Sequence, residues 1–248
     1  MSGHSKWSTI KRKKGKADAE RGKIFTRLIK DLTIAAREGG GDENANPRLR
    51  SSVTAAKAAN MPSANIERAI KKGTGDLPGV VYEEGVLEGY GPGGVALYIE
   101  FLTDNHRRTV ADVRHFLSKH GGNLAESGAV AWIFEKKGLI TVPSSGLDED
   151  ELLMIVLDAG AEDLRSEDDI FEITSAAQDL ENVKAALQSN NIEFESAALT
   201  MYPKNTVKVE GKRAEQLLKL MDVLEDHEDV QNVYANFEMD VSVMEQLG

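Results

Sequence analysis

Charge is divided so unevenly along this chain that it reads as a cationic N-terminal module attached to an anionic body. Residues 1–72 carry 17 Lys+Arg against 7 Asp+Glu, which leaves 13 basic and 34 acidic side chains for residues 73–248. The formal net charge of −11 therefore hides a cationic N-terminal segment joined to a strongly anionic body. A cationic module suits a polyanion, and nucleic acid is the commonest polyanion in a cell. The anionic body would be repelled by the same ligand, so contact is expected at one end only.

The 248 residues exceed one small core and suit two or three domains. With 41% apolar and 29% charged residues, the composition is that of a folded globular protein. The N-terminal residues lack the apolar core of a secretory signal, and no apolar run reaches the length of a membrane span. The absence of cysteine removes disulfides, thiolate zinc sites and cysteine nucleophiles. A cytoplasmic, monomeric protein without a cofactor or metal is expected.

Punctuation and periodicity divide the chain further. A basic arm carries Lys6, Lys11, Arg12, Lys13, Lys14, Lys16, Arg21 and Lys23, with Trp7 and Ile10 as its apolar residues. Helical spacing of Ile24, Leu28, Leu32 and Ala35 predicts a helix over Asp18–Glu38, ended by Gly39-Gly40-Gly41. Asn46-Pro47 opens a second helix with a cap and a proline at its first position. A third starts near Pro62-Ser63 and ends at Gly73.

Beyond the linker Asp76–Gly79, a hairpin is expected over Val80–Gly89 and Val95–Leu102. A helix follows over His106–His120, then a strand over Ala129–Glu135. Next comes β-α-β-β-α-β: strand Leu139–Val142, helix Asp150–Leu157, strands Glu162–Arg165 and Ile170–Thr174, helix Leu180–Gln188 and strand Ile192–Met201. That is the ferredoxin-like order. A closing strand, helix and strand over Thr206–Phe237 are expected to rejoin the earlier sheet. The fold class is α+β. Residues 1–76 form a basic arm plus a three-helix nucleic-acid-binding module. Residues 80–136 and 204–240 make a middle α/β domain, and 137–203 an inserted acidic ferredoxin-like domain.

Several of these residue strings resemble the YebC/PmpR family. They are Gly3-His4-Ser5-Lys6-Trp7, Ile10–Lys14, Arg21–Phe25, Asn46–Arg50 and Asn60-Met61-Pro62, then Gly89–Gly94, Thr103-Asp104-Asn105 and the Gly121-Gly122 to Trp132-Ile133-Phe134 stretch. Arg107, Ala125 and Ala129 depart from the pattern, where asparagine, glycine and serine are expected. The resemblance implies three domains, no catalytic activity and a role in gene expression. Bacterial members are labelled DNA-binding transcriptional regulators, whereas organellar relatives are regarded as translational activators and a ribosome-associated role is also proposed. The nucleic acid can thus be DNA or ribosomal RNA.

Each lysine or arginine on a phosphate releases a condensed counterion, so the arm can supply affinity without reading bases. Trp7 can stack on an unpaired base or peg the arm to the body by apolar packing, the commoner fate of tryptophan. Arg48, Arg50, Lys57, Arg68, Lys71 and Lys72 extend the basic set onto the second and third helices. A helix-turn-helix reading has thin support there, because only Asn65 and Arg68 on the third helix suit bidentate base contacts.

Gly89, Gly91 and Gly94 match G-x-G-x-x-G, but a strand follows instead of a helix, so a tight hairpin is expected, with Tyr90 at its tip. Asp104 or Asn105 reads as a helix cap rather than as the partner of a catalytic His106. His115 and His120 have poor metal-ligand spacing. The run Asp148–Glu151 fits a helix N-terminus better than a calcium loop. The acidic insertion is a solvated surface, or a dock for a basic protein. A protein-interaction scaffold is the remaining alternative.

Overall fold

A computed structural model describes Trp7 and residues 17–167, 169–240 and 243–244; the side chains of residues 17–21 and 167 are outside that description. Helix α1 spans Ala17–Gly39, α2 Pro47–Ala58 and α3 Ser63–Thr74. Leu32, Ala35 and Ala36 of α1 meet Leu49, Val53 and Ala56 of α2 and Ile66 and Ala69 of α3 in one small core. Ile24, expected in the α1 stripe, is 44% exposed; the packed stripe starts at Phe25. Asn46 caps α2 by accepting from the Leu49 N–H at 3.0 Å, and its own amide donates to Ala35 and Gly40 carbonyls.

Gly73 does not end α3. The helix runs to Thr74 and stops at Gly75, which is left-handed at φ 87°. Gly73 lies against the Thr33 carbonyl and the Ala36 methyl of α1, where a Cβ would not fit.

The middle sheet has the order β3-β1-β2-β9, from β1 (Glu83–Tyr90), β2 (Ala96–Thr103), β3 (Asn123–Leu124) and β9 (Val230–Ala235). Strand β2 is buried on both faces, as its near-continuous apolar run requires. Leu97 and Ile99 point into a core with Val113 and Leu117 of α4 (His106–Lys119) and with Leu217, Leu220 and Met221 of α7 (Gly211–Asp226). Ala96 and Tyr98 point the other way, toward Val130, Ile133, Phe134 and Tyr234. The chain leaves this sheet after β3 and returns at β9, which pairs antiparallel with β2.

The excursion between them is the ferredoxin-like unit. Its strands are β4 (Phe134–Pro143), β5 (Ala161–Glu167), β6 (Ile170–Ala176) and β7 (Ser196–Pro203), all antiparallel in the order β5-β6-β4-β7. Helices α5 (Glu149–Asp158) and α6 (Leu180–Ser189) cover one face. One expectation is corrected here. Ala129–Glu135 and Leu139–Val142 are not two strands: Ala131–Ile133 is a 3-10 turn, and β4 runs unbroken through Lys136, Lys137 and Gly138. Pairing with β7 throughout, joined by β6 from Lys137, carries the strand through that polar stretch, and Gly138 gives room to Ser175 and Leu180. Short strands β8 (Val207–Lys208) and β10 (Phe237–Glu238) pair in parallel. Asp148 caps α5 through the Glu151 N–H, so the acidic run serves the helix terminus.

Candidate nucleic-acid interface

Of the expected phosphate contacts, Lys6, Lys11, Arg12, Lys13, Lys14 and Lys16 lie outside the described residues, as does the Arg21 side chain. The remaining cations fall into two groups, divided by whether the molecule already uses their charge.

The first group is engaged internally. Arg48 donates to Glu38 at 2.6 Å and to Glu84 of β1 at 2.6 Å, so its fork is filled by carboxylates. Arg50 donates to the Glu43 and Asn44 carbonyls and holds the α1–α2 loop. Lys57 stands 4.0 Å from Glu43. Lys23 pairs with Asp226 of α7 at 2.9 Å, with both side chains largely in water. Exposed pairs of this kind exchange readily for another anion, because each contributes only about 0–1 kcal/mol.

The second group sits on α3. Arg68, Lys71 and Lys72 occupy positions i, i+3 and i+4 and share one face. All three are exposed and make no ion pair among the described residues. Ile66 and Ala69 hold the opposite face against α1, which fixes the cationic face outward.

A buried carboxylate sets how the helices sit on the middle sheet. Asp229 is 1% exposed, and its oxygens meet Lys30 of α1 at 2.6 Å, Arg108 of α4 at 2.7 Å and the Thr109 hydroxyl at 2.9 Å. Burial alone would push this carboxyl up. Hydrogen bonds from Lys30, Arg108 and Thr109 outweigh burial and hold it far below the usual carboxylate range. Lys30 also donates to the Leu102 and Glu228 carbonyls, Arg27 to the Glu225 carbonyl, and Arg37 to the Tyr82 carbonyl.

Thr103-Asp104-Asn105 belongs to this joint. Asn105 caps α4 through the Arg108 N–H, and Asp104 pairs with the Arg108 guanidinium. The cap was legible in the sequence. The convergence of α1, α4 and Asp229 was not, because nearly 200 residues separate Lys30 from its partner.

Of the two roles open to Trp7, the structure shows apolar packing, so it does not serve as a nucleic-acid contact. Its indole is 1% exposed and lies in the middle-sheet core with Leu97, Leu217, Phe237 and Met244, so no face is open for a base. The peg, not the stacking platform, describes it. Tyr90 is likewise engaged, half-buried with its hydroxyl donating to the Ala129 carbonyl at 3.3 Å. The glycine loop is a tight turn, with Gly93 and Gly94 at φ 82° and 79°, leading into strand β2.

Two features are not apparent from local sequence pattern. Glu88 is buried and accepts from the backbone N–H groups of Gly128, Val130 and Ala131, at 2.6, 2.7 and 2.8 Å. Burial raises its carboxyl and these three bonds more than compensate, leaving it below the ordinary range. The turn so fixed presents Trp132, 64% exposed. The second feature is α4, whose Arg107 and Arg114 are exposed and without an ion pair among the described residues. A charge count per element, instead of per half-chain, would have found them.

Comparison with known proteins places this architecture. The model of the TACO1/YebC protein N-terminal domain matches residues 5–76, and that of the TACO1/YebC second and third domain matches residues 82–237. The chain belongs to the TACO1/YebC family. A family member of Syntrophobacter fumaroxidans, named "Probable transcriptional regulatory protein", is 56% identical over 248 residues and all of both chains. One of the same name from Geobacter sulfurreducens is 56% identical over 247 residues, again covering both chains in full. The crystal structure of a conserved hypothetical protein from Aquifex aeolicus is 45% identical, with a TM-score of 0.79 over 91% of this chain and 93% of that one.

Proposed function

We propose that this TACO1/YebC protein is a non-enzymatic regulator of gene expression that binds nucleic acid, with DNA-binding control of transcription as the leading reading. The carrying observation is the outward cationic face of α3, where Arg68, Lys71 and Lys72 make no ion pair among the described residues while Arg48 is held by two carboxylates. The arm adds Lys6, Lys11, Arg12, Lys13, Lys14 and Lys16 from the same cationic segment. The names of the relatives support the regulatory role. Contact is to phosphates rather than base edges, since α3 offers only Asn65 and Arg68 for bidentate reading. That scarcity also favours a second reading, ribosomal RNA bound by a translation factor, because backbone and shape recognition serves structured RNA equally well.

Charge reversal at Lys11, Arg12, Lys13 and Lys14 tests the reading by fluorescence anisotropy on duplex DNA and on a ribosomal-RNA stem-loop. Wild-type affinity should fall steeply with salt, and the reversal should flatten the log–log slope by about 3.6 for four duplex phosphates. Binding that ignores both salt and the reversal would refute it. Crosslinking in cell extract followed by sequencing separates chromosomal DNA from ribosomal RNA.

A further inference from the structure

The anionic body holds one helix of the opposite sign. Helix α4 carries Arg107, Arg108, Arg114 and Lys119 against a single carboxylate, Asp112. The rest of residues 73–248 holds nine basic and 33 acidic side chains. A solvated helix in such surroundings would ordinarily pair its arginines with carboxylates three or four residues away. Among the described residues Arg107 and Arg114 make no such pair, and Asp104, three residues before Arg107, is taken by Arg108. Four residues after Arg107 stands Ala111, and Arg114 is flanked at that spacing by Val110 and Ser118. Asp112 is turned to His227, 3.3 Å away. Arg108 is drawn into the joint with Asp229 and Asp104.

What remains is a straight stripe. Arg107, Ala111, Arg114 and Ser118 follow one line of the helix, all exposed, while Thr109, Val113 and Leu117 bury the opposite face. The two guanidinium groups are spaced about 10 Å along the axis, with Ala111 between them and Ser118 after the second. Three phosphate steps of a duplex strand advance about the same distance. The small side chains let a backbone approach closely, and arginine suits phosphate by its planar fork. The stripe begins beside Arg108, whose partner Asp229 also holds Lys30 of α1, so it adjoins the cationic helical module.

We infer that the outward face of α4, through Arg107 and Arg114, is a second phosphate-binding surface that extends the nucleic-acid footprint from the N-terminal helices onto the body. The inference rests on the function proposed above and names a part of the interface that lies outside the cationic N-terminal segment.

Anisotropy titrations of the full chain test it, with a mixed-sequence DNA duplex and a ribosomal-RNA stem-loop as probes. Arg107→Glu/Arg114→Glu should weaken binding about 10-fold or more and reduce the salt slope by about 1.8, the value for two duplex phosphates. The milder Arg107→Gln/Arg114→Gln should reduce the slope equally with a smaller loss of affinity, and thermal melts should stay unchanged. Lys184→Glu/Lys204→Glu makes the same change in net charge at exposed or partly exposed sites elsewhere, and should leave the slope near wild type. Equal losses in that control and in the α4 variant would overturn the inference, since net charge alone would explain them. Wild-type binding by the α4 variants would also overturn it, as would an effect confined to association with an acidic protein or a second copy. If wild type binds neither probe, the proposed function itself fails, a result distinct from a silent α4 variant.

Discussion

Burial decides what an individual charged residue can do in this protein. Lys30 and Asp229 are 8% and 1% exposed and lie 2.6 Å apart, so removing one partner strands a charge without water. Asp229→Ala should therefore destabilise the protein by about 3–5 kcal/mol, read by chemical denaturation. The same experiment on Arg48→Ala should give about 1 kcal/mol or less per exposed pair, although Arg48 touches two carboxylates. Similar losses for both variants would show that the Asp229 site is open to solvent. Trp7 makes the same point for an apolar group. Its type and basic surroundings were visible in the sequence, but its place beside Phe237 and Met244 depends on chain more than 200 residues away.

At the scale of elements, local signals located the helices and strands well and misjudged why some residues are there. The Asn46-Pro47 start appears as expected, Asn105 proves to be the cap from the pair Asp104 or Asn105, and the acidic run at 148–151 sits at a helix start, because such end effects act within one turn. Gly73 reads as a helix stop, whereas α3 continues past it and uses the missing side chain to approach α1. Replacing a helix-interior glycine by alanine normally stabilises by about 0.5–1 kcal/mol. Here the sign should reverse. Gly73→Ala sets a methyl against the Thr33 carbonyl, and α1 backbone cannot move aside cheaply, so a loss of about 1–3 kcal/mol is expected in urea denaturation. A gain in stability would mean that α1 and α3 are less closely packed. Glu135–Gly138 interrupts the apolar run of β4 and suggests two strands; pairing with β7 throughout, joined by β6 from Lys137, continues it as one.

Over the whole molecule, pH acts on the joint between helices and sheet in two opposite directions. Burial, the largest influence, pushes Asp31 of α1 up from 3.8 to about 6, with Arg48 opposing the rise and Glu84 adding to it. A raised carboxyl lends stability that is complete below about 3.8 and disappears as pH climbs through about 6. Asp229 is depressed, so its contribution is present above about 3.8 and is lost as pH falls below that value. Stability should thus increase between about pH 7 and pH 4 through Asp31, then decline in stronger acid through Asp229. Asp31→Asn should remove the first limb and stabilise by about 1–2 kcal/mol at pH 7.5, allowing for partial exposure, with little effect at pH 4. Thermal melts across this range check it, and an unchanged profile in the variant would locate the limb elsewhere.

The sequence by itself determined the α+β class, the ferredoxin-like order, the segregation of cations to the N-terminal segment and most helix ends. These follow from periodicity, capping and composition, which operate over a few residues or need no structure at all. Tertiary structure alone decided which cations stay available. It paired Arg48 with surface carboxylates, buried Lys30 against Asp229, seated Trp7 in a core, and left Arg68, Lys71 and Lys72 on α3, with Arg107 and Arg114 on α4, facing out. Pairing and burial depend on contacts between distant parts of the chain, and a linear count of charge cannot register them.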